Sequence, residues 1–154
     1  MTRAACWLLC WLVPLCSFAL TLLEQSPAQV MHQADVVVLG TVVAQRPLQH
    51  QGLIHTQFLV RVEETLKGPS TATLVVTQLG GRLGTVEMDV PGDRPLHIGE
   101  RVVLATYAHA DGNRYLVGMR QGIFDVTPSS SWSPATPPPF TLDGLRRLAA
   151  GRAP

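Results

Sequence analysis

The sequence predicts an all-β protein, a small antiparallel β-barrel with one short helix at each end. Short β-branched or alternating apolar runs recur at regular spacing, separated by Gly- and Pro-containing connections. No long segment carries the 3.6-residue apolar period of a helix between them. The 154 residues, with 46% hydrophobic content, are enough for one core and leave no room for a second large one.

The chain opens on an export segment. From Ala4 to Leu23 every residue is apolar except Pro14, Ser17 and Thr21, and Arg3 precedes the run. Small residues at Ser17 and Ala19 occupy the positions that signal peptidase reads, so residues 1–19 are expected to be a signal peptide cleaved after Ala19. A retained anchor is the rival, weakened by Pro14 inside the helix and by the lack of a basic cluster behind it. Cys6, Cys10 and Cys16 all lie within this segment, so the mature chain is expected to hold no thiol. Disulfide scaffolds, thiolate zinc sites and cysteine nucleophiles are then excluded.

The mature barrel domain is expected over residues 20–127. It begins with a short helix over Ser26 to Gln33, where Ser26 suits the N-cap, Pro27 the first helical position, and Val30 and Met31 form the apolar face. The run from Asp35 to Ala44 is nearly continuous β-branched sequence, the pattern of a central strand covered on both faces. Arg46 to Gly52 reads as a hairpin connection. Ile54, Thr56, Phe58, Val60 and Val62 then alternate with polar residues, as in a half-buried antiparallel strand that closes at Leu66 to Ser70.

Ala72 to Gln78 is a third strand, and the glycine-rich string Gly80 to Gly84 reads as a flexible loop into Thr85 to Val90. There Val86, Met88 and Val90 are expected to face the core. Pro91-Gly92 suits a type II turn, because Gly accepts the positive φ that position needs. A fifth strand spans Arg101 to Tyr107, and Asp111-Gly112-Asn113 turns it into a strand over Arg114 to Met119. Gly118 and Gly122 mark bends before Ile123 to Val126. Residues 128–139 are a Pro/Ser-rich linker. Residues 140–151 form a short amphipathic helix capped by Thr141, too short to stand alone, which must dock on the barrel, dock on a partner, or fray.

The chemistry is sparse. A net charge of +1 gives no electrostatic reason to expect nucleic acid or an anionic membrane as partner. His50, His55, His97 and His109 fall in separate loops and strands without metal-ligand spacing, so no metal and no cofactor is expected. Glu87 and Asp89 point the same way from one strand, a spacing resembling that of paired catalytic carboxylates, but both belong to a wet face. The Gly80 to Gly84 string lacks the lysine and following helix of a phosphate loop; the only lysine is Lys67. Binding is therefore expected at Gly81, Arg82 and Leu83, on a loop with no evident structural duty.

The strings ADVVVLGTVV, LKG, GERVVLATY and DGNRYLV resemble the netrin-like and tissue-inhibitor-of-metalloproteinases-like domain, an oligosaccharide/oligonucleotide-binding-type (OB) β-barrel, over Ala34 to Val126. VPG, GER and YLVGMRQGIFDV are also similar to strings in exported bacterial proteins. The resemblance implies a binding domain engaging a secreted or envelope protein, such as a peptidase, rather than an enzyme. Inhibitors of that kind chelate the protease zinc through an N-terminal cysteine, and a chain beginning at Leu20 has none, so no inhibitory residue carries over. A metal-dependent hydrolase and a structural envelope protein are the alternatives.

Overall fold

The structure is a computed structural model that describes residues 24–126 and 140–151. The expected signal peptide with its cysteines and the linker at 128–139 lie outside the described residues. The fold is mostly β. Its elements are helix α1 (Pro27–Gln33), strands β1 (Val36–His50), β2 (Leu53–Lys67), β3 (Thr73–Leu79), β4 (Gly81–Leu83), β5 (Val86–Met88), β6 (Arg101–Ala108) and β7 (Arg114–Leu116), a single 3-10 turn, β8 (Ile123–Asp125) and helix α2 (Leu142–Ala149).

Five strands of one sheet close into a ring, β1-β2-β3-β7-β6 and back to β1, and β8 adds to β6. Every contact in the ring is antiparallel except β3 with β7, which run parallel and meet at the single pair Thr77 and Tyr115. Across β6-β1-β2-β3, three consecutive strands are followed by a fourth that returns through a long connection to lie beside the first, which is the Greek-key order.

The continuous apolar run of β1 has its cause in this topology. Val36, Val38 and Val42 point inside the ring, where they meet Phe58, Val60, Val76 and Leu104. Val37 and Leu39 point outward into a second cluster with Val103 of β6, Met31 of α1 and Leu145 of α2. The strand is thus buried on both faces, as its sequence predicts.

Both helices sit over that outer cluster. In α1, Ser26 accepts from the N–H of Gln29 at 3.3 Å while the Gln29 side chain accepts from Ser26 N at 2.8 Å, a reciprocal capping box. At its other end Lys67 of β2 donates to the carbonyls of Met31 (2.9 Å) and His32 (3.1 Å). The chain's one lysine thereby satisfies acceptors that the helix terminus leaves open. Helix α2 docks rather than frays: Leu145 is fully buried among Val30, Met31 and Leu39.

Three expectations about the strands are corrected. Arg46 to Gly52 is not a loop, because β1 runs on to His50 and only Gln51 and Gly52, both with positive φ, make the turn. Beyond Val42 this strand has, among the described residues, β2 as its one ladder neighbour, so the missing N–H of Pro47 falls on an edge where it costs no ladder bond. Thr85 to Val90 does not face the core: β4 and β5 form a separate two-stranded ribbon, and Val86 is 60% exposed. Finally, β7 ends at Leu116 because Gly118, at φ 60°, turns the chain into the 3-10 turn at Met119–Gly122.

Candidate binding groove

A cleft of about 320 Å³ lies between the ring and the β4–β5 ribbon. Its floor is the strand end where β1, β2 and β3 lie side by side, contributing Pro47, Thr56, Phe58 and Gln78. Gly81, Arg82, Glu87, Met88 and Asp89 of the ribbon form one wall. The segment Asp93 to His97 forms the other.

The Gly80-Gly81 pair creates this space. β3 would otherwise continue as a straight strand, but φ values of +97° and +120° at these two residues turn the chain over the floor. Side chains rarely adopt such values, and a Cβ at Gly81 would lie 2.1 Å from the Thr56 hydroxyl oxygen. Thr56 in turn donates to the Gly80 carbonyl at 2.8 Å, and the Gly80 N–H donates to the Ile54 carbonyl at 2.7 Å. The ribbon is therefore anchored at its base rather than loosely tethered.

Gln78 fixes the opposite wall. It is buried, its amide N–H donates to the Arg94 carbonyl at 2.9 Å, and its carbonyl accepts from Leu96 N at 3.1 Å, as a neighbouring strand would. Leu96, held by this bridge, inserts into the interior cluster. The turn before it is the one expected at Pro91-Gly92: Gly92 has φ 83° and Asp93 N donates to Val90 O at 3.1 Å. Arg94 ties the segment down through ion pairs with Glu100 and, at 2.8 Å, with Asp125 of β8.

Burial pushes the Asp93 carboxyl above its ordinary value, only partly offset by the N–H of Arg94. A second polar cluster lies on the β6–β7 hairpin. There the Tyr115 hydroxyl donates to Asp111 at 2.7 Å, holding that carboxylate well below its usual range, while burial and the same bond push the phenol up to about 12.

Of the residues that the sequence singles out, Gly81 and Arg82 line the groove and Leu83 does not. The string around them is a strand and tight turn rather than a flexible loop, because the cross-strand pairs with β5 give its backbone a partner. Glu87, Asp89 and His97 also line it, whereas His50 and His55 pack against each other at the β1–β2 hairpin, ring centroids 6.1 Å apart. Among the described residues no group of three or more His, Cys, Asp or Glu is placed to hold a metal ion. Sequence reasoning missed Gln78 and Asp93. A signal for Gln78 was present: it continues the inward alternation of Leu74 and Val76, so it is a polar residue at a core-facing position. No family model and no curated protein matches the chain.

Proposed function

We propose that this chain is an exported, non-catalytic binding module of OB type, netrin-like in its topology, that engages a secreted protein such as a peptidase through the groove beneath the β4–β5 ribbon. The topological support is the closed ring of five strands in Greek-key order, touching between β3 and β7 at one residue pair, which fits a partly open Greek-key barrel. Export rests on the apolar segment behind Arg3 and the small residues Ser17 and Ala19. No helix among the described residues is long and apolar enough to cross a membrane.

The observation that carries the reading is the groove's lining. Phe58, Met88 and Val90 offer apolar surface, carboxylates stand at its lip, and no Ser, Cys or Lys is among its walls. The one hydroxyl, on Thr56, is committed to the Gly80 carbonyl. Apolar surface with a few placed polar groups is what recognition needs. Nucleophilic chemistry would require an activated nucleophile beside a base.

The test is capture from the native secretome with the purified protein and with Met88→Glu, which puts a charge on the half-buried, groove-facing side of the ribbon, opposite Gly81. A partner retained by the wild type and lost by this variant, with the melting temperature unchanged, supports the reading. A partner retained equally by both refutes the groove as its site.

A further inference from the structure

The walls of the groove do not balance its charge. Glu87 and Asp89 come from the ribbon and Asp93 from the facing segment, and none of the three has a cation within ion-pair distance among the described residues. Arg82 is the cross-strand neighbour of Glu87 and forms no ion pair with it. The lining thus carries three carboxylates against one guanidinium, set around an apolar floor. These carboxylates are not grouped closely enough with other ligating side chains to hold a metal ion. They are spread along the groove, where separate cationic side chains of one ligand could each reach one.

We infer that the groove receives a peptide segment in which an apolar side chain is flanked by lysine or arginine. This rests on the binding-module reading and specifies its partner. The volume of about 320 Å³ admits one large side chain between Phe58 and Met88 and a short stretch of backbone on either side. The flanking cations then meet Glu87 and Asp89 on one wall and Asp93 on the other. Burial disfavours the charged form of Asp93 in the free protein, and an arriving cation relieves that cost. Long-range attraction between an acidic groove and a basic segment also speeds encounter and falls with salt.

Three blocked pentapeptides test this by calorimetry and backbone-amide NMR on the purified protein. One has a central phenylalanine flanked by two lysines, the second has the same phenylalanine between two glutamates, and the third has glycine between two lysines. The first is expected to shift amides in Leu79 to Asp89 and Asp93 to His97, with affinity falling as salt rises. The second is expected not to bind. The third is expected to bind at least about tenfold more weakly, since it forfeits the apolar burial. Glu87→Gln and Asp89→Asn, both at exposed positions, should each weaken the first peptide about threefold, while Arg82→Gln should tighten it about twofold, with melting temperatures unchanged. Equal binding of the lysine and glutamate peptides, shifts confined to another surface, or no binding of the first peptide overturns the inference. If the first peptide fails while a captured secreted protein still shifts the groove amides, the binding module stands and its basic ligand falls. If that partner shifts no groove amide, the module's site falls as well.

Discussion

Thr56 and Gly81 are packed so closely that the hydroxyl of one occupies the space where the other would carry a side chain, 2.1 Å from the ideal Cβ position. The ribbon's angle over the groove depends on that contact and on a φ of +120°. Gly81→Ala should destabilise the protein by about 1–3 kcal/mol and displace the ribbon. Thr56→Ala in the same chain removes the clash but not the backbone strain, so the double variant should be less destabilised than the sum of the singles. Chemical denaturation of the four proteins measures this. Strict additivity would mean that the two residues do not meet.

Gln78 bridges Arg94 O and Leu96 N from a buried position, so replacing it leaves two backbone groups without partners. Gln78→Leu should cost about 1–3 kcal/mol despite its near-matched size and added apolarity. Hydrogen exchange should locate the loss, with the Leu96 amide deprotected and the β1–β2 ladder unchanged. Uniform deprotection throughout the sheet would show that Gln78 supports the whole core rather than this wall.

The terminal helix buries one side chain fully and packs Leu142, Leu148 and Ala149 against the same cluster at its edge. Leu145 is fully buried with Val30, Met31 and Leu39, whereas Arg147 on the same helix is exposed. Leu145→Ala should therefore cost about 2–5 kcal/mol. Arg147→Ala should cost under about 0.5 kcal/mol. Melting curves compare the two, and a Leu145→Ala protein as stable as the wild type would mean that the helix does not hold its docked position in solution.

What the sequence made legible follows periodicity. Phe58 is buried at the centre of an alternating stripe, and the unbroken apolar run of β1 reported a strand with neighbours on both faces, because each pattern is set by which side of the sheet is covered. The extent of β1 was hidden by Pro47 and Gly52, residues that mark turns in isolation but are tolerated at a strand edge and a two-residue hairpin. The ribbon was hidden for a different reason. Val86 and Met88 alternate as a core strand would, yet their sheet has only two strands and no face for a core to cover. The groove is still less local. It needs Gly81 from the ribbon, Thr56 from β2 and Leu96 from a loop pinned by Gln78, and only the closed ring brings these together.

Acid should loosen the junction between α2 and the sheet. Arg146 donates to both oxygens of Glu64, Nε to Oε1 at 2.9 Å and Nη2 to Oε2 at 2.7 Å. These bonds hold the Glu64 carboxyl below its ordinary value, with burial and the nearby Asp143 charge opposing. Glu63, bonded by Arg101 and Thr41, is depressed in the same direction. A carboxyl whose folded pKa is lowered adds stability that is present above its unfolded value, here near 4.5, and is lost as pH falls through the folded value. The denaturation midpoint should therefore decline below pH 4.5. Glu64→Gln should unfold more easily than the wild type at neutral pH and converge with it in acid. Asp93 runs the other way, since its carboxyl is raised by burial, and Asp93→Asn, which keeps the oxygen that accepts from Arg94 N, should raise the midpoint at neutral pH. Denaturant titrations from pH 3 to pH 7 on the three proteins decide both signs. A Glu64→Gln curve parallel to the wild type at every pH would show that the Arg146 pair adds nothing, and an Asp93→Asn protein less stable at pH 7 would show that the groove stabilises this carboxylate rather than straining it.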